Sequence, residues 1–263
     1  MSLAAMTATP VMAALMGGLV AAAATAVGAL PVYFMRQVPA RALDALLGFG
    51  AGVMLAASAF SLVLPGIEAA TAQGAGPWAA GGLVGVAILL GAGLVMLIEN
   101  TLPHEHFIKG TEGRHAHRLK RTWLFVFAIC LHNLPEGLAI GVAFANDLEG
   151  GAALATGIAV QDLPEGLVVA VALLAAGYGR GRAVMVGVVS GLIEPVGAVL
   201  GASVVTASPL LLPFGLGFAA GAMLFVVSHE IIPESHRQGH EHYATGGLMI
   251  GFVVMMMLDT ALG

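Results

Sequence analysis

Apolar residues fill eight long stretches of this chain, and polar residues collect in the segments between them. A helix needs about 20 predominantly apolar residues to cross a bilayer, and each stretch is long enough to do so. The pattern therefore predicts eight membrane-spanning helices in a single transmembrane domain that covers residues 1–263. The predicted spans lie near residues 11–34, 43–66, 78–101, 123–146, 150–177, 183–206, 209–232 and 243–262.

The composition excludes an ordinary soluble protein. Hydrophobic residues make up 59% of the 263 residues and charged residues only 10%, whereas charged residues make up about 25% of a typical soluble domain. The chain is therefore expected to be an all-α, multi-pass membrane protein. Its expected partner is the lipid bilayer, and no nucleic-acid partner is expected.

The basic residues lie on one side of the predicted membrane. All ten of them fall after spans 1, 3, 5 or 7: Arg36, Arg41, Lys109, Arg114, Arg118, Lys120, Arg121, Arg180, Arg182 and Arg237. Loops rich in Lys and Arg face the cytoplasm. The distribution therefore predicts that both termini are extracytoplasmic, and that residues 102–122 form a cytoplasmic loop containing histidines.

Parts of the sequence repeat at a common offset. Segments 47–55 and 216–224 match at the same offset as segments 27–29 and 196–198, and segments 99–102 and 259–262 give a weaker third match. They relate spans 1–3 to spans 6–8 in opposite orientation, and two similar hexapeptides relate span 4 to span 5. Inverted repeats are typical of secondary transporters. The alternative is that small-residue patterns recur in any closely packed membrane bundle.

The two hexapeptides, residues 132–137 and 161–166, place polar groups inside predicted spans. His132 and Glu136 are four residues apart, as are Gln161 and Glu165, so each pair shares one helix face. Asn133 and Asp162 stand beside them, and Glu194 adds a further carboxylate in span 6. A carboxylate at the centre of a bilayer costs about 2.5–3.5 kcal/mol, so these groups are expected to have a function.

Proline residues accompany the polar groups. Pro135 and Pro164 each remove one helical hydrogen bond, from the carbonyls of Leu131 and Val160 respectively. Interrupted helices are tolerated in lipid where they line a polar cavity. The prolines therefore predict local interruptions of spans 4 and 5 beside the polar groups.

An imidazole, several carboxylates and two side-chain amides form a ligand set suited to a divalent cation such as Zn, Fe, Mn or Cd. His132 disfavours Ca and Mg, which prefer oxygen ligands alone. One alternative is structural, with the histidine bonded to a neighbouring helix and the acids capping kinks. Another is a proton relay, but Asn133 and Gln161 can coordinate a metal and cannot titrate.

An enzyme is the alternative from a different class, in the form of an intramembrane metal-dependent hydrolase. The H-E-x-x-H motif of such proteases is absent, because Asn133 follows His132 and position 136 is Glu. No phosphate-binding loop for an ATP-driven pump is present either. A chain that is not an enzyme, needs no cofactor and uses ion gradients is therefore expected.

The chain resembles the ZIP (Zrt/Irt-like) divalent metal transporters of bacterial type. The resemblance rests on the eight spans, the histidine-bearing loop after span 3, the His-Asn-x-x-Glu-Gly motif at residues 132–137 and the proline motif of span 5. It implies import of Zn, and also of Cd, Fe or Mn, by alternating access through a binuclear site in the bacterial cytoplasmic membrane. It is also compatible with a homodimer.

The resemblance also implies a ligand set. One metal position would use Met54, His132, Glu136, Gln161 and Glu165. The other would use Asn133, Glu136, Asp162, Glu165 and Glu194, with Glu136 and Glu165 bridging. Many family members have His at the positions of Gln161 and Glu165, so the resemblance implies broader metal selectivity here.

Further histidines lie toward the predicted cytoplasmic side. Seven belong to loops: His104, His106, His115, His117, His236, His240 and His242. Histidine-rich segments bind metals, so we expect His104 and His106, together with His229 and Glu230 of span 7, to lie on the path by which metal leaves. A solvated polar loop and a polar helix end are the alternatives.

Overall fold

The computed structural model describes residues 9–34, 38–101, 132–175, 177–237 and 239–262, without the side chains of residues 99–101. The predicted loop at 102–122, with His104, His106, His115 and His117, lies outside the described residues.

Eight helices account for nearly all of the described residues, and no strand occurs among them. They are α1 (Pro10–Ala29, extended by the 3₁₀ turn Leu30–Tyr33), α2 (Ala40–Ala72), α3 (Pro77–Thr101), α4 (residues 132–146), α5 (Leu148–Ala175), α6 (Arg180–Ala207), α7 (Pro209–Ser235) and α8 (Glu241–Leu262). Within the described ranges seven of them are long and apolar enough to cross a membrane, and α4 is described only from residue 132 onward. The predicted all-α, multi-pass fold is confirmed.

Capping side chains explain where two of the helices begin. Thr9 precedes α1 and accepts a hydrogen bond at its hydroxyl from the Met12 amide at 3.3 Å, and Pro10 then occupies the first helical turn. Asp147 precedes α5 and accepts from the Gly150 amide at 2.6 Å. Polar N-cap residues are typical of helix starts, and proline is favoured in the first helical position. Both helices therefore begin where a polar capping residue precedes an apolar run.

Pro164 does not interrupt α5, so the prediction for span 5 is wrong, whereas the helix of Pro135 is described only from residue 132 onward and that prediction stays open. Residues 132–146 are continuously helical, and α5 passes through Pro164 unbroken. A proline inside a helix costs about 3 kcal/mol. Close packing of α1 on both sides of Pro164 offsets this cost, because Gly28 lies against the Leu163 carbonyl and Gly166 against the Thr25 carbonyl. Leu131, whose carbonyl loses its partner to Pro135, lies outside the described residues.

The break occurs instead in α6 and precedes Pro195. The helix consists of Arg180–Gly191 and Ile193–Ala207, which are joined at Leu192. Pro195 has no amide hydrogen, so the Gly191 carbonyl four residues earlier loses its helical hydrogen-bond partner at the point where the first segment ends. Glu194 consequently lies in the first turn of the second segment.

Two helices contain wider, π-helical turns. These cover Ala57–Val63 in α2 and Val227–Ile231 in α7. In each, a serine hydroxyl donates to a carbonyl four residues earlier, from Ser58 to Met54 at 2.8 Å and from Ser228 to Leu224 at 2.7 Å. A short π-helical turn inside an α-helix is rare and often marks a functional region. The sequence did not reveal either turn.

Glycines bring helix backbones into direct contact and divide the helices into two groups. A Cβ at Gly28 of α1 or Gly137 of α4 would overlap a carbonyl oxygen of α5 or α6, respectively. We call α1, α4, α5 and α6 the site bundle. A Cβ at Gly52 of α2 or Gly221 of α7 would overlap a carbonyl oxygen of α8 or α3. We call α2, α3, α7 and α8 the outer bundle. Small residues permit this close approach of helices in membranes.

Side chains, and not backbones, fill the boundary between the two bundles. Gly157 of α5 lies against the sulfur of Met255, which is the one fully buried large side chain among the described residues of α8. Gly215 of α7 lies against the Val205 methyl group, which would be 3.2 Å from an added Cβ. At these two glycines the contacts across the boundary are made by side chains, whereas the glycines named above contact backbone within their own bundle.

Several contacts within the site bundle occur in matched pairs. Gly28 lies against the Leu163 carbonyl, and Gly197 lies against that of Leu134. In the same way Gly166 lies against the Thr25 carbonyl, and Gly137 against that of Glu194. These pairs follow the offsets of the sequence repeat and support the predicted inverted repeat. The repeat and the extracytoplasmic position of the termini stay predictions.

Candidate metal site

Three carboxylates meet between α4 and α5. Glu136, Asp162 and Glu165 each place an oxygen atom within 4.8 Å of the others. Glu136 and Asp162 are fully buried, and Glu165 is half-buried. The helical spacing of the two hexapeptides explains the arrangement, because residues three and four apart share a face. Carboxylates this close repel one another unless a cation lies between them, so the cluster suits a divalent ion.

Gln161 joins the carboxylates of the two helices. Its amide nitrogen donates to Oε1 of Glu136 and, at 3.2 Å, to Oδ1 of Asp162. The amide oxygen of Gln161 is directed toward α2, where it would lie 3.4 Å from a Cβ added at Gly50. The side-chain oxygen of Gln161 is thus the part of this residue that is available to a metal.

Met54 lies one turn after Gly50 on α2 and is almost completely buried. Because residues four apart share a helix face, Met54 lies on the face of α2 that approaches Gln161. This is consistent with the thioether ligand that the resemblance implies. The Ser58 hydroxyl, bonded to the Met54 carbonyl at 2.8 Å, follows at the start of the π-helical turn.

His132 reaches from α4 toward the outer bundle. Its Nε2 atom lies 2.8 Å from Oε2 of Glu230 in the π-helical turn of α7. His132 is buried and Glu230 is half-buried. The structure therefore brings one residue predicted for the exit path into contact with a predicted ligand.

Glu194 is fully buried and is held at one oxygen atom. Its Oε1 atom accepts from the Asn133 amide nitrogen at 3.3 Å and from the Thr25 hydroxyl at 3.2 Å. The Asn133 amide nitrogen also donates to the Ser190 carbonyl at 3.1 Å. These two hydrogen bonds orient the Asn133 side chain so that its own carbonyl oxygen points away from Glu194 Oε1 and from the Ser190 carbonyl.

Five buried oxygen atoms at the centre accept no hydrogen bond from any described residue. They are Asn133 Oδ1, Glu136 Oε2, Asp162 Oδ2, Glu165 Oε1 and Glu194 Oε2. A buried acceptor without a partner costs about 1–3 kcal/mol, and more if it is charged. These atoms come from the five residues that the family resemblance implies for the second metal position. Their common lack of a donor fits a set of cation ligands.

The remaining exit-path candidates and the loop histidine His236 differ in position. His229 is exposed and stacks on Phe225, with ring centroids 5.1 Å apart. His236 bonds within its own turn and to the Thr245 hydroxyl at 3.1 Å. His104 and His106 lie outside the described residues.

The last two loop histidines also have distinct surroundings. The Nδ1 atom of His240 lies 2.9 Å from Oδ2 of Asp44, whose side chain is fully buried near the start of α2. His242 is exposed in the first turn of α8. His240 thus connects α8 to α2, a structural contact that the sequence analysis did not anticipate.

Thr25 and Ser190 are the residues around the site that sequence reasoning missed. Thr25 occupies in span 1 the position that Glu194 holds in span 6 under the predicted repeat, so the repeat offset could have identified it. Ser190 takes part through its backbone carbonyl. A contact made by a backbone carbonyl cannot be predicted from the type of the residue.

Comparison with known proteins gives consistent matches over most of the chain. The family model described as ZIP Zinc transporter matches residues 104–259. Zinc transporter ZIPB of Bordetella bronchiseptica is 56% identical over 252 residues, which cover 95% of this chain and 81% of that protein. Zinc transporter GufA of Myxococcus xanthus is 46% identical over 252 residues, with 95% and 99% covered. Zinc transporter ZIP11 of Homo sapiens is 33% identical over 321 residues, with 91% and 94% covered.

Proposed function

Because the chain belongs to the ZIP family of zinc transporters, we propose that it imports zinc and related divalent ions into the cytoplasm through two adjacent metal positions. The observation that carries this proposal is the group of five buried oxygens without donors between α4, α5 and α6. The relatives support a transporter and not an enzyme, so the hydrolase alternative is not favoured. The metal is the cargo, and no resident cofactor is proposed.

The first metal position combines different donor atoms. It uses His132 and Met54 together with the carboxylates of Glu136 and Glu165 and the amide oxygen of Gln161. Imidazole and thioether ligands favour borderline and soft ions such as Zn and Cd over Ca and Mg. In the described arrangement, His132 contacts Glu230, and this contact must open for the imidazole to bind a metal at Nε2.

The second metal position offers oxygen atoms alone. It uses Asn133, Asp162 and Glu194 together with the two bridging carboxylates. Carboxylate and carbonyl oxygens also suit Mn and other harder ions. Gln161 and Glu165 replace imidazoles that many family members have, which adds oxygen donors to the site. We therefore propose a selectivity that extends beyond zinc to Cd, Fe and Mn.

Alternating access is proposed through relative movement of the two bundles. The glycine contacts between backbones occur within the site bundle or within the outer bundle, as at Gly28 and Gly52. The boundary contains side-chain contacts such as that of Met255 with Gly157. A rigid site bundle can therefore carry its ligands past the outer bundle while its internal contacts persist.

The energy for uptake can come from the membrane potential. Inward movement of one positive charge across a potential that is negative inside gains about 2.3 kcal/mol per 100 mV, so a divalent ion gains about 4.6 kcal/mol. Import is therefore favourable without ATP. This agrees with a chain that contains no phosphate-binding loop.

The test is to measure zinc uptake into proteoliposomes and metal occupancy of the purified protein. We expect the parent protein to hold about two ions at saturating Zn or Cd, and Glu194→Gln to hold about one, since the amide keeps the shape and removes the charge. Glu194→Gln should transport more slowly, and His132→Ala should impair transport more severely.

An empty Glu194→Gln protein, or one that binds both ions with unchanged affinity, would contradict the binuclear assignment. Metal-dependent peptide cleavage without uptake would support the hydrolase instead.

A further inference from the structure

The carboxylate of Glu194 is restrained asymmetrically. Its Oε1 atom accepts from two donors on different helices, the Asn133 amide at 3.3 Å and the Thr25 hydroxyl at 3.2 Å. Its Oε2 atom is buried and accepts from no described residue. Two donors at one oxygen fix the rotation of the carboxylate plane and leave the other oxygen available to a cation.

Thr25 is confined at the junction of three helices. It lies on α1, its side chain is fully buried, and its carbonyl lies against Gly166 of α5. Its Cβ atom would be 3.0 Å from a Cβ added at Gly191 of α6. Threonine has a stiff χ1 angle because Cβ carries two heavy atoms. The packing therefore restricts the directions in which the hydroxyl can point.

The Thr25 hydroxyl has one proton and two acceptors within reach. One is Glu194 Oε1 at 3.2 Å and the other is the Ala21 carbonyl of its own helix at 3.3 Å. A hydrogen bond to a carboxylate is stronger than one to a neutral carbonyl. The bond to Glu194 is thus favoured whenever that side chain is ionised, which is the state that binds a metal.

We propose that Thr25 is a positioning residue for the second metal position: its hydroxyl, together with the Asn133 amide, occupies Oε1 of Glu194, so that Oε2 alone is presented to the ion. This inference rests on the proposed binuclear site. Hydrogen bonds that orient ligating carboxylates commonly change metal affinity about 10- to 100-fold when they are removed. Thr25 should therefore influence the second ion and have little effect on the first, whose ligands it does not contact.

The experiment uses the purified full-length protein in detergent, titrated with Zn²⁺ while free and bound metal are measured. Thr25→Val removes the hydroxyl and keeps the branched shape, whereas Thr25→Ser keeps the hydroxyl and loses a methyl group. We expect Thr25→Val to weaken binding of the second ion about 10- to 100-fold. Thr25→Ser should stay close to the parent protein. Binding of the first ion should change little in either variant.

A double variant separates positioning from packing. If Thr25 acts through Glu194, adding Thr25→Val to Glu194→Gln should produce no further loss of zinc binding beyond Glu194→Gln alone. Additive losses, a Thr25→Ser protein as weak as Thr25→Val, or unchanged second-site affinity in Thr25→Val would each overturn the proposal. If Thr25→Val does not fold, Thr25→Ala and Thr25→Ser form the comparison, because they differ only in the hydroxyl. A parent protein that binds only one ion would instead overturn the binuclear proposal itself.

Discussion

The imidazole of His132 on α4 lies 2.8 Å from the carboxylate of Glu230 on α7, so a proposed metal ligand in the site bundle contacts the outer bundle. Under the predicted topology, Glu230 lies near the cytoplasmic end of its helix. Under the proposed function, Glu230 competes with the metal for His132 on the side where the metal is released. The contact gives one exit-path residue a definite role in the proposed transport.

Glu230→Gln should tighten zinc binding at the first position and slow uptake. The substitution replaces a charged competitor for His132 with a neutral one, and a hydrogen bond to a charged group contributes about 1.5–3 kcal/mol. We expect zinc affinity to rise about tenfold, and the uptake rate at saturating zinc to fall. Glu234→Gln, one turn later and paired with Arg237 at 3.4 Å, is the control. Weaker zinc binding in Glu230→Gln would show that Glu230 is itself a ligand.

Glu165→Ala should abolish zinc uptake and leave a folded, inserted protein. This carboxylate is shared by both proposed positions, whereas removal of a charge that costs about 2.5–3.5 kcal/mol in the bilayer should not harm insertion. Uptake into proteoliposomes and the elution profile in detergent measure the two effects. Glu149→Ala is the matched control, because Glu149 is exposed in the first turn of the same helix. Near-normal uptake by Glu165→Ala would remove Glu165 from the ligand set.

Replacing all seven loop histidines with Ala should slow uptake without eliminating it. These residues follow the membrane spans on the predicted cytoplasmic side, where the ion has already crossed the barrier. A variant that retains His240 and replaces the other six is the control, because His240 is the partner of the buried Asp44. Complete loss of uptake in this six-residue variant, with metal still bound at the centre, would make the loop an obligatory relay.

Two glycine substitutions should change thermal stability in opposite directions. Gly52→Ala adds a methyl group that overlaps the Leu248 carbonyl, and such overpacking typically costs about 1–3 kcal/mol. Gly82→Ala on α3 meets nothing within 4 Å, and the higher helix propensity of alanine contributes up to about 1 kcal/mol. Melting in detergent should therefore occur at lower temperature for Gly52→Ala and at higher temperature for Gly82→Ala. Equal melting temperatures would contradict the contact between α2 and α8.

The helices could be predicted because lipid imposes a simple requirement on the sequence. An apolar run long enough to cross the bilayer must be helical to satisfy its backbone, so α3 and α8 follow directly from composition. The contact between Glu136 and Glu165 could also be predicted from the sequence. Helical spacing places the polar residues of each hexapeptide on one helix face, and the short connection makes the two helices neighbours.

Other features depend on packing between distant parts of the chain. The local sequence does not specify the two π-helical turns. The contact of His132 with Glu230 and that of Asp44 with His240 join residues far apart in sequence. The unbroken helix at Pro164 likewise depends on the support that α1 gives to α5.

The π-helical turn of α2 makes the exact number of residues in that helix important. One additional residue within a turn rotates everything after it by about 100° relative to an uninterrupted α-helix. Before the turn, Met54 lies on the face of α2 that approaches Gln161, and at its end the Ser61 hydroxyl donates to Asp259 of α8 at 2.6 Å. Deletion of a single residue between 57 and 63 would rotate the outer end of α2 away from Asp259. Length variation among natural relatives should therefore be tolerated in the connecting loops and rejected within this segment.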